Sequence, residues 1–183
     1  MSGVLRPLLL TLAKEGWFIP VWSDKIGNEW RRNAARVWDV APTVLDDAWQ
    51  AMEAAHPEAN LSKQPIPQSD EAEPVLTHSD PKDWHVILTA WQARMSHDNT
   101  TIVTWNLKDF RRSELRFLGL NVMDPDRLLT DWYKTHGTTF EAHLQSTVQA
   151  LIDEGRRRPD PLPVLLIRER LFRLRKQLIT TTT

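Results

Sequence analysis

Between Asp80 and Phe110 the chain reads DPKDWHVILTAWQARMSHDNTTIVTWNLKDF, and its acids fall where acids can do chemistry. Asp80 and Asp83 open a predicted helix, and Asp109 follows the apolar strand TTIVTWN. In an open parallel α/β sheet, helix starts and the carboxyl ends of strands share the edge where ligands bind. Asp80, Asp83 and Asp109 are therefore expected to converge. Carboxylates held together repel, and a shared proton or a divalent cation relieves that repulsion. The chemistry implied is metal-dependent. Glu29 is a further candidate, mid-helix beside Trp30 and a turn after Ile26, where a solvated carboxylate is less expected. Each acid also has a purely structural role open to it. Asp-Pro ahead of a helix is a common N-cap, and that role is expected for Asp80. Asp83 suits the positive end of the helix dipole, and Asn106 or Asp109 can cap the turn after the strand.

The elements that must position these residues alternate along the chain. VLRPLLLTLAKE (4–15) has apolar positions at helical spacing and is stopped by Gly16. WFIPVW (17–22) reads as a short buried strand, with Pro20 placing it at an edge or bulge. Ser23 is a fitting N-cap for the helix SDKIGNEWRRNAARVW, and Pro42 suits the first position of PTVLDDAWQAMEAAH. Residues 57–74 are polar and Pro-rich, an exposed loop. A helix over Asp80–Met95, the strand TTIVTWN, the short helix RRSELRFLG and the strand LNVMD follow. This alternation predicts an α/β fold with a parallel sheet. After Pro125 only helices are predicted: DPDRLLTDWYKTH and TTFEAHLQSTVQALIDEG, separated at Gly137, then LPVLLIRERLFRLRKQLI as one amphipathic helix. Val164, Leu165, Ile167, Leu171, Leu174 and Leu178 form its apolar stripe, and ITTTT is a frayed tail.

Composition narrows the function classes. The absence of cysteine excludes disulfides, zinc–thiolate sites and thiol catalysis. No run approaches the ~20 apolar residues that span a bilayer, and the N-terminus lacks a signal-peptide cleavage site, so a cytoplasmic protein without a membrane role is expected. There is no Gly-rich phosphate loop, and the six histidines lack paired metal-site spacing; His85 reads as structural. Most of the nine tryptophans are expected in the core. Charge is uneven. Residues 39–98 hold eleven acids against three basic residues, and 156–183 hold eight basic residues against two acids. The basic end fits either a polyanionic or acidic partner or a solvated helix face.

SDKIGNEW, DPKDWHVILTA, TIVTWNLKDF and LNVMDPDRLL occur in an order that resembles the landmarks of a PIN domain. The resemblance covers about residues 4–133 and is nearest to VapC-type toxins of toxin–antitoxin pairs that carry an added helical region. It implies a three-layer α/β/α parallel sheet over 1–133, a C-terminal helical extension over 134–183, and a metal-dependent endoribonuclease. Glu29, Asp83 and Asp109 match the family's metal-binding catalytic acids, with Thr104 and Asn106 as supporting residues of the strand end. Mg2+ or Mn2+ is the implied cofactor, as oxygen donors favour hard cations. RNA is the implied substrate, a cognate antitoxin the implied partner, and a homodimer is common among such proteins. Lys108, Arg111 and Arg112 flank Asp109 and can meet RNA phosphates; Trp105 can stack on a base or fill the core.

The family's first strand, which ends in its first catalytic Asp, has no counterpart ahead of Val4. The sheet is therefore expected to be incomplete at the N-terminus, with a missing upstream segment favoured over gene decay. These 183 residues are expected to fold poorly or to cleave RNA weakly. The alternative is a degenerate, non-catalytic PIN-like scaffold that binds a protein or nucleic acid through its basic C-terminal helix.

Overall fold

The computed structural model describes residues 3–65 and 72–181. Contacts divide the chain into two compact units, 19–123 and a second formed by 1–18 together with 124–183. The sequence division at 133 separated the terminal segments differently. The first helix, α1 (Leu5–Lys14), explains the difference, because it packs on the long helix after residue 124.

In the 19–123 unit, α2 (Asp24–Trp38) begins as predicted, with Ser23 Oγ accepting the Ile26 N–H at 3.4 Å. α3 (Pro42–Ala55) starts on Pro42 and buries Leu45 and Trp49. The two helices meet over Gly27, where a Cβ would stand 2.4 Å from the Trp49 indole. The predicted strand over 17–22 does not form. Only Trp22 pairs, in a single parallel bridge to Asn60, with its N–H on Ala59 O (2.8 Å) and its carbonyl accepting from Leu61 N–H (2.9 Å). Pro20 has no N–H to extend the ladder. Trp22 instead packs edge-on to Trp49, their rings 5.7 Å apart. Of the predicted 57–74 loop, Leu61–Lys63 makes a 3-10 turn, and residues 66–71 lie outside the described residues.

A second 3-10 turn, Pro81–Asp83, leads into α4 (Trp84–Arg94). Strand β1 (Thr101–Val103) then pairs in parallel with β2 (Asn121–Met123), Ile102 opposite Val122, across the crossover helix α5 (Arg112–Phe117). The alternation read from the sequence thus gives a mixed α/β unit with a parallel pairing. Among the described residues the sheet has two strands of three residues each, shorter than TTIVTWN and LNVMD. Its core is Leu76, Ile87, Ala90, Ile102, Phe110, Leu115 and Leu120.

The other unit is helical. α1 places Leu5, Leu8 and Leu12 inside, and α6 (Pro125–Asp153) buries Leu129, Tyr133, Phe140, Leu144 and Leu151. The predicted break at Gly137 is a kink within α6, its φ of 47° reached at little cost only by glycine. The predicted single C-terminal helix is two, α7 (Leu162–Arg168) and α8 (Phe172–Thr181), separated by Arg170 at φ 63°. The buried Asp126 carboxylate causes the restart, accepting the Arg173 and Leu174 N–H groups at 2.8 and 3.0 Å. The apolar stripe divides accordingly: Leu165, Leu171, Leu174 and Leu178 are buried, while Val164 and Ile167 are exposed. Of the ITTTT tail, α8 reaches Thr181, and 182–183 lie outside the described residues. No helix among the described residues is long and apolar enough to cross a membrane.

Candidate acidic metal site

The site forms at the start of α4. Asp80 caps the 3-10 turn as expected, its Oδ1 accepting the Lys82 N–H at 3.1 Å. Its own N–H donates to the Asp109 carbonyl at 2.9 Å, which ties the turn to the Leu107–Asp109 segment after β1. Glu114 braces the approach from outside. Its carboxylate accepts the N–H groups of Thr77, His78 and Ser79 at 2.7, 3.0 and 2.9 Å. Ser79 Oγ then accepts the Arg111 N–H (2.9 Å), and Ser79 O accepts the Trp84 indole N–H (2.9 Å). Both acid-bearing segments are thereby fixed through backbone groups.

Asp80, Asp83 and Asp109 converge so that one oxygen of each lies within 4.8 Å of the others. Asp80 is therefore both a cap and a member of the cluster. Lys82 reaches across it, with Nζ 2.8 Å from Asp109 Oδ2 and 3.1 Å from Asp80 Oδ2. Asn106 Nδ2 also donates to Asp109 Oδ2. Thr104 supports this end of β1 indirectly: its Oγ1 accepts the Asn106 N–H at 3.1 Å, and its N–H bonds Met123 O at 3.0 Å.

These partners divide the acids electrostatically. The Lys82 ammonium, with Asn106, holds the Asp109 carboxyl below its ordinary range despite burial. The Lys82 N–H and ammonium do the same for Asp80, and Lys82 is itself raised by Asp109 and Asp80. Asp83 goes the other way. Burial pushes it up, and the charges of Asp109, Glu29 and Asp80 reinforce the effect against the pull of Lys82. Its Oδ2 is shielded from solvent and accepts no hydrogen bond.

Glu29 stands beside this group rather than within it. α2 carries it to His85, whose Nε2 lies 3.0 Å from Glu29 Oε2. His85 is buried, and neither ring nitrogen makes an aligned hydrogen bond. The Thr89 hydroxyl reinforces the α2–α4 approach, 3.0 Å from Ser23 Oγ. Lys108, Arg111 and Arg112 are exposed around Asp109, and Trp105 is half-buried.

Two residues and one pairing escaped the sequence reading. Lys82 sits between two candidate acids, so DPKD carried its signal. Glu114 acts through backbone donors 35–37 residues away, which no local motif announces. The His85–Glu29 pairing joins two helices and left no spacing to read. At the C-terminal end, several arginines are committed to acids: Arg156 to Glu154, Arg157 to Glu169, Arg168 to Asp160 and Arg173 to Asp124.

The donor set suits a hard divalent cation. It is all oxygen, it exceeds its single lysine in charge, and it contains a buried carboxylate oxygen without a donor. No known family model, curated protein or solved structure matches the chain.

Proposed function

We propose that the chain is a metal-dependent endoribonuclease of the PIN kind, the toxin component of a toxin–antitoxin pair. The observation that carries this reading is the convergence of Asp80, Asp83 and Asp109, with the Asp83 Oδ2 buried and unbonded. Asp83 and Asp109, with Asp80, would hold Mg2+ or Mn2+, and Glu29 lies close enough to raise the Asp83 carboxyl. A divalent ion there would supply charge stabilisation at the scissile phosphate and a more acidic water.

The chain's own residues do the rest. Asn106 orients the Asp109 carboxylate, and Glu114 keeps the Asp80 turn in register with it. His85 positions Glu29 from within the core. The exposed Lys108, Arg111 and Arg112 offer cations to RNA phosphates beside the acids, and the half-buried Trp105 is the candidate to stack on an unpaired base. A three-layer PIN sheet, an antitoxin partner and a homodimer belong to the same proposal.

The test is cleavage of a fluorescent single-stranded RNA by the purified chain with Mn2+ or Mg2+. Asp83→Asn and Asp109→Asn are expected to lower the rate at least about 100-fold, since the loss of supporting residues alone costs 10–100-fold at such sites. Cleavage that both variants retain at the parent rate would remove the site. No cleavage by the parent, with RNA binding that survives both substitutions, would favour the non-catalytic scaffold.

A further inference from the structure

We propose that Lys82 is a built-in competitor for the cation at this site, an ammonium that a divalent ion must displace from Asp80 and Asp109 before it binds. The inference rests on the cation-site reading above and adds its regulation. Lys82 already occupies two of the three acids the ion would need: Nζ sits on Asp80 Oδ2 and Asp109 Oδ2, at 3.1 and 2.8 Å. Like charges exclude one another at that distance, so ammonium and ion cannot share the cluster.

The substitution is also incomplete. Lys82 serves two acids and leaves the Asp83 Oδ2 buried without a donor, an arrangement that a cation reaching all three acids would resolve. The Lys82 side chain is 61% exposed, so its stem can swing into water while its backbone N–H stays on Asp80 Oδ1. The ammonium end of both pairs is open to water, where ion pairs are individually weak, which makes Lys82 a soft gate rather than a lock.

Mn2+ titration calorimetry on the full chain tests this with the metal alone. Lys82→Met is expected to bind Mn2+ about tenfold more tightly than the parent, from the loss of two competing pairs whose ammonium is open to water. Lys82→Arg keeps the competing charge and is expected to stay within about threefold of the parent. Asp109→Asn is expected to weaken binding in either background. Equal affinities for the parent and Lys82→Met, with Asp109→Asn weakened, overturn the competitor role and leave the site standing. Absence of Mn2+ binding by parent and Lys82→Met alike, with both folded by circular dichroism, overturns the site and this inference with it.

Discussion

Asp83→Asn should stabilise the fold at neutral pH while abolishing metal binding. The Asp83 Oδ2 is shielded from solvent and accepts no hydrogen bond, and three other carboxylates raise the cost of its charge. An unpaired buried polar group costs about 1–3 kcal/mol. Lys82 pulls in the opposite direction, and an amide in the same place stays partly unsatisfied, so the low end applies: a gain of about 1 kcal/mol, or about 2–4 °C in Tm. The pH dependence separates charge from packing. The folded Asp83 carboxyl titrates above its unfolded value, so its penalty is absent below the unfolded value, grows between the two, and is complete above the folded one. The gain from Asp83→Asn should therefore be full at pH 7 and fade as the pH falls toward the ordinary aspartate range. Thermal unfolding of parent and variant across that range, without divalent ions, reads this directly. A variant no more stable than the parent at pH 7, or a gain unchanged with pH, would refute the assignment of a strained charge.

Three further outcomes follow from the scaffold. Glu114→Ala removes three hydrogen bonds to a charged acceptor, two of them on exposed amides, so denaturant unfolding should show a loss of about 2 kcal/mol, with faster amide exchange at His78 and Ser79. Asp126→Ala strips the first turn of α8 of its acceptor; a loss of about 1–2 kcal/mol is expected, with exchange quickened at the Arg173 and Leu174 amides. Gly27→Ala inverts a familiar rule. Alanine in a helix interior ordinarily gains up to about 1 kcal/mol, but here its methyl would meet the Trp49 ring at 2.4 Å, and a net loss of about 1–3 kcal/mol is expected by chemical denaturation.

Much of the fold was legible because its punctuation is local. Ser23, Pro42, Gly16 and Gly119 mark helix ends through their own hydrogen bonds and backbone angles, and the helices they bound form where expected. The misreadings share a different cause. Residues 162–179 keep a helical apolar period through Arg170, yet the helix restarts because Asp126, nearly fifty residues earlier, caps it. TTIVTWN has the composition of a longer strand, but pairing stops at Val103. Its partner β2 is confined between Gly119, which ends α5, and Asp124, which caps α6 with its side chain on the Arg127 N–H at 2.9 Å. A strand's length is a property of its partner, and the partner lies elsewhere in the sequence.

The acids themselves were legible, since two flank a helix start and one ends a strand segment, but their ranking was not. Sequence alone made Asp80 a cap, and nothing in a cap's local chemistry forbids its other oxygen from serving a cluster; Asp80 Oδ1 takes the Lys82 N–H while Oδ2 faces Nζ. Glu29 looked like an equal of Asp83 because both are acids on helices, yet only the packing of α2 against α4 decides that Glu29 meets His85 first. The charge balance is the deeper point. A cluster whose acids were all paired would be finished as a structural network and would gain little from an ion. Here Lys82 compensates Asp80 and Asp109, which sit low, and leaves Asp83, which sits high. That asymmetry distinguishes the proposed cation site from a finished salt-bridge network, and it places the deciding measurement on Asp83 rather than on the two acids that Lys82 already satisfies.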